Sequence, residues 1–445
     1  MPGDRLFAPI FVTDELLAAT GDEAWLAAML DAEAALAAAE AACGVIPPEV
    51  AEAIGAACRA GGLDPAALGR GARAAGNPVI PLVAALGEAV PAGARPWLHW
   101  GATSQDILDT AAVLVARRAG ALVDAELGRL AAGCAGLAAR HRGTLMAGRT
   151  LLQQALPVTF GLKAAGWLAG ADDARTQLAA ALGGLAAQLG GAAGTLASLG
   201  EAGPAVAAAF AARLGLPEPV LPWHTARQRV AAVAGALGVV AGTAAKISAD
   251  VALLMQTEVA EAAEPSPGGS STMPHKRNPA ASVAVLAAAR RAHALLPVLF
   301  GGLVAEHERP AGAWHAEWEP WAELIALAGG AAARTADVVA GLEVDAGAMA
   351  ANLARTGGAL LAERVTLALA AACGDRAEAR RAVTDALRRA DKDGTPLAAE
   401  LAAEPLVAGA FDAREIDRLL DPAGYLGAAG VWVDRALAAH GEAAP

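Results

Sequence analysis

Long stretches free of proline dominate the pattern of this chain. Alanine supplies most of the apolar positions, and no segment shows the sustained alternation of β-branched and polar residues that is typical of a strand. Proline breaks helices, so the proline-free windows are where long helices can form. These windows are residues 97–156, 158–203, 223–264 and 321–395. The pattern therefore predicts an all-α fold with a core of about five long helices packed as a bundle.

The two ends of the chain differ from this core. Residues 15–43 and 48–60 predict helices, and they are followed by sequence that proline and glycine interrupt. After Asn352 the chain carries more charge, with Val383 and Leu387 at helical spacing among arginines. We therefore expect three helical domains. They are an N-terminal domain (1–105), a central long-helix bundle (106–351) and a small C-terminal domain (352–445).

The apolar excess is the most unusual feature of the composition. Hydrophobic residues make up 56% of the chain and charged residues 18%, which is typical either of a membrane protein or of an oligomer with large buried contacts. The longest uncharged stretch, residues 176–200, is long enough to span a bilayer, but it is mostly alanine and glycine. We expect this stretch to be an interface helix in a homo-oligomer, and we expect no membrane span.

Charge and cysteine usage narrow the class of protein further. A net charge of −12 argues against a nucleic-acid surface, although a local cationic pocket can still bind an anionic substrate. The four cysteines are scattered, and the histidines and acids lack paired ligand spacing, so we expect free thiols and no metal site. The N-terminus has no long apolar segment of the kind found in signal peptides, which predicts a cytoplasmic protein.

The run GGSSTMPHKRNP (268–279) concentrates chemically active groups between prolines. Glycine and proline predict a shaped loop, and its side chains are hydroxyls, cations and an amide. A serine acts as a base only as an alkoxide, which requires strong positive potential. Lys276, Arg277 and the backbone N–H groups of the loop supply such potential. The simpler alternatives are a linker between helices and, for Ser270, a hydroxyl that caps a turn.

The loop pattern GSSxMPxKxNP resembles the signature of the fumarase/aspartase superfamily. Enzymes of that superfamily make or break a bond β to a carboxylate by moving the proton α to it. The resemblance implies that Ser270 is the catalytic base or acid and that Lys276 and Asn278 bind the substrate carboxylate. Ser271 and His275 complete the candidate catalytic set. Ser271 also shapes the loop, and for His275 a hydrogen-bonding role within the loop stays open.

Two further runs extend the resemblance. HWGATSQDILDT (99–110) is similar to the first conserved region of the superfamily, which makes Thr103 and Ser104 carboxylate binders at a helix N-terminus that attracts anions. Plain helix capping by Ser104 is the alternative. WHTARQR (223–229) is similar to cycloisomerase sequences, and His224 and Arg227 are candidates to bind a substrate rich in carboxylates. Alternatively, His224 ends a loop and Arg227 opens a helix.

A third run, GRTLLQQA (148–155), resembles the second conserved region of the superfamily. Several lyases of the superfamily have a histidine there that helps to protonate the leaving group, whereas this chain has Leu151. The 3-carboxy-cis,cis-muconate cycloisomerase family also lacks that histidine. By the resemblance, Thr150 and Gln153 bind substrate and Arg149 neutralises an additional carboxylate. We expect the charge-rich run 306–309 to be a solvated face.

The resemblance to the cycloisomerase family implies a reaction. A carboxylate of 3-carboxy-cis,cis-muconate adds to a double bond and closes a carboxymuconolactone in protocatechuate (β-ketoadipate) catabolism, with no cofactor. It also implies a homotetramer that acts on a small polycarboxylate and shares active sites between subunits. Two alternatives stay open. One is a fumarate-releasing lyase with a nitrosuccinate-like or adenylosuccinate-like substrate, and the other is a structural protein that kept the fold without catalysis.

Overall fold

The computed structural model of this protein describes residues 6–269 and 272–443, and most of them are helical, as the pattern predicts. The α-helices are α1 (Ala8–Phe11), α2 (Asp14–Thr20), α3 (Asp22–Ala42), α4 (Pro48–Ala60), α5 (Pro65–Ala75), α6 (Val79–Ala89), α7 (Ser104–Arg140), α8 (Phe160–Gly183), α9 (Gly203–Arg213), α10 (Gln228–Leu254), α11 (Ala280–Gly301), α12 (Ala313–Ala340), α13 (Ala346–Ala354), α14 (Ala362–Cys373), α15 (Arg376–Asp393), α16 (Leu397–Ala403), α17 (Pro405–Ala408), α18 (Ala413–Leu419) and α19 (Ala429–Ala443). The strands are β1 (Leu145–Thr150), β2 (Gln153–Thr159), β3 (Ala262–Ala263) and β4 (Glu343–Val344).

Four of the five long helices, α7, α8, α10 and α12, lie largely in the proline-free windows, whereas α11 lies outside all of them. Pro297 lies inside α11 and Pro320 inside α12, so these helices run through residues that we expected to end them. Each proline removes one backbone hydrogen bond. Residues on either side of Pro320, among them Trp314 and Trp321, are buried, so packing stabilises α12 on both sides of the proline.

The predicted interface helix over residues 176–200 is only partly a helix. Helix α8 ends at Gly183, and residues 184–196 form turns and irregular structure. Gly191 and Gly194 have φ values of 69° and 81°, a left-handed conformation that a side chain would disfavour. The prediction was wrong for this half of the stretch because glycine in the sequence outweighs the helix preference of alanine.

A β-hairpin interrupts the helices and was missed in the sequence. Strand β1 pairs antiparallel with β2, from Leu145 opposite Thr159 to Thr150 opposite Gln153, with a bulge between Ala147 and Arg149. The turn consists of Leu151 and Leu152, whose φ values are 50° and 65°. Glycine and asparagine are the residues that normally signal such a turn, and this turn has neither.

The chain divides into two compact units. The first unit comprises Met1–Gly128, Asp173–Lys246 and Ala284–Thr335, and the second comprises Arg129–Asp172, Ile247–Val283 and Ala336–Pro445. In the first unit, α3 packs against α4 and α9, and apolar residues such as Leu36 and Phe210 are buried. In the second unit, a hydrophobic cluster joins α14, α15, α16 and α18 through residues that include Leu369, Val383 and Leu401.

Two described helices, α10 and α11, are long and apolar enough to cross a membrane by length and composition alone, and α13 with the segment Ala359–Cys373 passes the same test as a bent pair. In α10, 61% of the most apolar window is buried within the protein itself. In α11 the figure is 33%, so a large apolar face of this helix is left uncovered by the single chain. The expected absence of a membrane span stays a prediction.

Candidate active site

The first unit contains a buried polar network at the start of α7, and Asp106 is its centre. The Asp106 carboxylate accepts hydrogen bonds from the backbone N–H groups of Thr103, Gly190 and Gly191, each at 2.9 Å. Its Oδ1 also lies 2.7 Å from Nε2 of His224. Both side chains are buried. Asp106 thus connects the first motif, the glycine turn after α8 and the 223–229 run into one rigid assembly.

Thr103 and Ser104 lie where the first motif placed them, at the N-terminal end of α7. Both residues are half-buried, and neither hydroxyl is hydrogen-bonded to another described residue. Helix capping requires the Ser104 hydroxyl oxygen to accept a hydrogen bond from a backbone N–H group, and this bond is absent from the described residues. The structure therefore contradicts the capping alternative for Ser104. Two free hydroxyls at a helix N-terminus suit a carboxylate ligand.

Arg227 occupies the centre of a buried ion triad. Its Nη1 and Nη2 donate to Asp109 at 2.7 and 3.1 Å, and its Nε donates to Glu317 at 3.2 Å. Burial alone would lower the pKa of Arg227. The negative charges and hydrogen bonds of Asp109 and Glu317 outweigh that effect, so the pKa of Arg227 is raised above its ordinary value. Burial raises the pKa of Glu317, and Arg227 opposes that shift. The guanidinium is thus held by carboxylates of the protein, and a substrate-binding role for Arg227 stays a prediction.

Gln105 links this triad to the segment before α12. Its Nε2 donates to Asp109 at 3.1 Å and to the carbonyl oxygen of His224 at 2.9 Å, while its Oε1 accepts from Nε of Arg309 at 3.0 Å. Arg309 also donates to the carbonyl oxygen of Ala192. The expected solvated face holds for residues 306–308, which are exposed, but Arg309 is half-buried and bonded. Sequence spacing could not reveal this, because Gln105 and Arg309 are 204 residues apart.

The hairpin of the second unit carries three of the predicted substrate ligands. Arg149 forms a two-pronged ion pair with Glu261, at 2.8 and 2.7 Å, and Glu261 is fully buried. Asn352 donates to the same carboxylate at 2.9 Å. Thr150 and Gln153 are exposed on either side of the Leu151–Leu152 turn. Arg149 is therefore anchored, whereas the tip of the hairpin is accessible.

At that tip Leu151 is 96% exposed. By the resemblance of this motif, it stands where several lyases of the superfamily have a histidine. An apolar side chain neither donates nor accepts a proton. Within this hairpin the structure thus offers hydroxyl and amide groups for binding and no titratable group at the tip to protonate a leaving group.

The signature loop, residues 268–279, is closed where its two ends meet. Gly268 and Asn278 exchange two backbone hydrogen bonds of 2.9 and 2.8 Å. The side chains of His275 and Lys276 are exposed and form no hydrogen bond to a described residue. Asn278 is half-buried where these ends meet, next to α11. Ser270 and Ser271, the predicted catalytic serines, lie outside the described residues.

The predicted site residues therefore divide between the two units. The first unit holds Thr103, Ser104, His224 and Arg227; the second holds Arg149, Thr150, Gln153, His275, Lys276 and Asn278. The acidic partners were missed in the sequence, namely Asp106, Asp109, Glu261, Glu317 and the helix-capping Glu264. The only local signal was the i, i+3 spacing of Asp106 and Asp109 on one helix face. Among the residues that the structure describes, no cluster of histidine, cysteine or acidic side chains is arranged to bind a metal.

Comparison with known proteins gives matches along nearly the whole chain. A family profile described as lyase matches residues 11–293, and one described as the adenylosuccinate lyase C-terminus matches residues 358–436. A 3-carboxy-cis,cis-muconate cycloisomerase of Pseudomonas aeruginosa is 48% identical, over 99% of this chain and 97% of its own length. A nitrosuccinate lyase of Streptomyces davaonensis is 45% identical, over 99% of this chain and 96% of its own. The crystal structure of 3-carboxy-cis,cis-muconate lactonizing enzyme from Pseudomonas putida has a TM-score of 0.93 at 43% identity and covers 99% of both chains.

Proposed function

We propose that this chain, which belongs to the lyase family of the fumarase/aspartase superfamily, is a 3-carboxy-cis,cis-muconate cycloisomerase. The observation that carries the proposal is the similarity, along nearly the full length, to the Pseudomonas enzymes of this activity. The chain is an enzyme for a small carboxylate substrate, and its reaction is the closure of a lactone. We place it in the cytoplasm, in the catabolism of protocatechuate.

The reaction needs charge stabilisation more than it needs added reagents. A carboxylate oxygen of the substrate attacks one carbon of a double bond, and a C–O bond forms. The electron pair of the double bond moves to the carbon α to another carboxylate, which delocalises it as an enediolate. Proton transfer to that carbon, from Ser270 in this proposal, completes the ring closure. The lactone product carries one proton more than the ionised substrate, and Ser270 regains the proton it gave from solvent. The nucleophile belongs to the substrate, so no cofactor is required.

The predicted ligands supply the positive and polar groups for such an anion. In this proposal Lys276 and Asn278 bind the carboxylate that stabilises the enediolate, and Thr103 and Ser104 bind a second one at the N-terminus of α7. The accessible Thr150 and Gln153 contact the remaining carboxylate. The exposed, unpaired state of Lys276 in the described part of the chain supports its role, because its ammonium group can bind an anion without first losing a partner in the protein.

Leu151 favours this reaction over those of the amine-releasing lyases. In the reverse direction the leaving group of the lactone is a carboxylate, which departs without taking a proton. A lyase that expels an amine needs an acid to protonate it. The leucine at the hairpin tip is thus compatible with lactone chemistry and with other stable anionic leaving groups.

A second candidate function follows from the same argument. Nitrite, like a carboxylate, is a stable anion, and one relative is named a nitrosuccinate lyase at 45% identity. The fumarate-releasing alternative that remains is therefore elimination from a nitrosuccinate-like substrate. An adenylosuccinate-like substrate fits less well, because its leaving group is an amine.

We also infer that the enzyme is a homotetramer built on the long helices, with three helical domains in each chain as the sequence predicts. Support comes from an open apolar groove in the first unit, between α10 and α11, where Val239, Phe300 and Leu303 are each more than a third exposed. Phe300→Glu should dissociate the assembly, whereas Val431→Glu, on the exposed face of α19, serves as a matched control. Sedimentation velocity with a parallel activity assay tests this. A monomer with full activity would refute shared active sites.

The decisive experiment is an assay with 3-carboxy-cis,cis-muconate that follows loss of the conjugated-diene absorbance. Fast, saturable loss supports the cycloisomerase, and Ser270→Ala should abolish it if Ser270 is the proton donor. No loss with the assembled enzyme, together with release of fumarate and nitrite from nitrosuccinate, would favour the second candidate. Absence of turnover on both substrates would contradict the proposed function and revive the alternative of a non-catalytic protein.

A further inference from the structure

The signature loop is held at two places, and only one of them lies within the sequence motif. The first is the reciprocal pair of backbone hydrogen bonds between Gly268 and Asn278. A Cβ atom at Gly268 would lie 2.8 Å from the side chain of Ala280, so the two stems of the loop approach as closely as glycine allows.

The second place is Glu264, on the chain that enters the loop. Its Oε1 accepts a hydrogen bond from the N–H group of Ser282 at 2.8 Å, and its Oε2 accepts one from Ala281 at 3.1 Å. These two residues belong to the first turn of α11, which begins directly after the loop. Glu264 thus connects the chain before the loop to the helix after it.

Glu264 is buried, with 1% of its surface exposed, and its carboxylate has no cationic partner among the described residues. The charge is balanced by the N-terminal N–H groups of α11 and the helix dipole. A buried carboxylate held only by a helix terminus is sensitive to the position of that helix, because each displaced N–H group leaves an oxygen unsatisfied. The carboxylate therefore fixes the start of α11 relative to the entering chain.

From this geometry we infer that Glu264 is a positioning residue for the reaction. By fixing the start of α11 relative to the chain before the loop, Glu264 sets the positions of Asn278 and Lys276. Asn278 lies two residues before the start of α11. The inference rests on the proposed function, in which these two residues bind substrate. It adds a residue that controls substrate binding from outside the GGSSTMPHKRNP motif, because Glu264 is neither part of that run nor bonded to any described residue within it.

The test compares two caps in the second unit. Glu264→Gln keeps the shape and one acceptor oxygen but removes the charge, and Glu264→Ala removes both. Asp375→Ala is the matched control, because Asp375 also accepts two backbone hydrogen bonds at a helix N-terminus, from Ala377 and Glu378, but in the C-terminal cluster.

Three properties are measured for each variant: the melting temperature, kcat/KM on 3-carboxy-cis,cis-muconate, and native trypsin cleavage after Lys276, expressed relative to cleavage elsewhere by mass spectrometry. We expect Glu264→Gln to lower kcat/KM about 10- to 100-fold, because a displacement of binding groups by about 1 Å can cost about 100-fold in rate. Relative cleavage in the loop should rise, and the alanine variant should be affected more strongly. The control should lose melting temperature while keeping kcat/KM and loop cleavage.

Two outcomes would overturn the inference. One is a Glu264→Gln enzyme with wild-type kcat/KM and wild-type loop cleavage. The other is a loss of activity matched by uniform cleavage throughout the chain, which is the behaviour of a purely structural cap. The cleavage ratio needs no substrate. It therefore still tests the positioning of the loop if the wild-type enzyme does not turn over 3-carboxy-cis,cis-muconate, a result that would contradict the proposed function instead.

Discussion

The wild-type protein should become less stable as the pH rises from about 5 to about 9, because Glu40 is buried. Replacing Glu40 by glutamine should abolish this pH-dependent loss of stability. Glu40 lies on α3 in the first unit, fully buried, and neither of its carboxylate oxygens has a hydrogen-bond partner in the described chain. Burial, with a further contribution from the charge of Glu33, raises the pKa of Glu40 to about 8. The folded protein therefore keeps this side chain neutral at pH 7.

The magnitude follows from the proton balance. In the unfolded chain Glu40 ionises near its ordinary pKa of 4.5, whereas in the folded chain it holds its proton up to about pH 8. Between these values the folded state binds more protons than the unfolded state, so stability falls as the pH rises. The contribution of Glu40 is fully favourable below pH 4.5 and is lost as the pH passes through about 8. The span corresponds to about 5 kcal/mol, because one pKa unit is worth about 1.4 kcal/mol.

Glutamine has nearly the same shape and cannot ionise, so Glu40→Gln should match the wild type at pH 5 and exceed its stability at pH 9 by a few kcal/mol. Thermal melts and urea titrations at pH 5 to 9 measure this difference. Glu23→Gln, an exposed change on the same helix, is the control and should have no such pH dependence. A constant difference between Glu40→Gln and the wild type at every pH would refute the raised pKa of Glu40.

Three further predictions concern other buried groups. Arg227→Met should destabilise the protein by about 3–5 kcal/mol, because it leaves two buried carboxylates unpaired, and denaturant titration at pH 7 measures the loss. Arg149→Met should lower stability for the same reason at its buried glutamate partner and should also raise KM if Arg149 neutralises a substrate carboxylate; melting curves and steady-state kinetics separate the two effects. Burial raises the pKa values of Cys58 and Cys134 to about 12, so iodoacetamide at pH 8 should modify them only after unfolding, as mass spectrometry of native and denatured samples would detect.

The helical fold could be predicted because its signals are local. Proline placement and alanine content locate four of the five long helices, all but α11, and the N-terminal helices end close to the residues that the sequence indicates. The hairpin was missed because its turn is Leu151–Leu152, which occupies a left-handed conformation without glycine or asparagine. Such a conformation is imposed by the pairing of β1 with β2, which single-residue preferences do not report.

The sequence predicts which segments carry the polar groups of the candidate site, but it does not predict which charged side chains pair with one another. Motifs identify the hydroxyls of Thr103 and Ser104 and the free ammonium of Lys276, which the structure leaves without partners in the described chain. Pairing between distant segments is invisible to such patterns. Asp106 and Asp109, on one face of α7, are each 118 residues from the side chain they hold, His224 and Arg227, and Glu317 on α12 is 90 residues from Arg227.

A sequence does not distinguish a cation that is available to substrate from a cation that is paired within the protein, whereas the structure does. A cation without a protein partner can bind an anion without first giving up an ion pair, whereas a cation buried against carboxylates is already neutralised by the protein. By that criterion Lys276 is available to bind an anion, and Arg227 holds α7, α12 and the 223–229 run together. His224 resembles Arg227, because its Nε2 and its carbonyl oxygen are both bonded within the network of Asp106 and Gln105. The buried charges around Asp106 and Arg227 thus hold the N-terminus of α7, where Thr103 and Ser104 present their hydroxyls, and substrate binding by His224 and Arg227 stays a prediction.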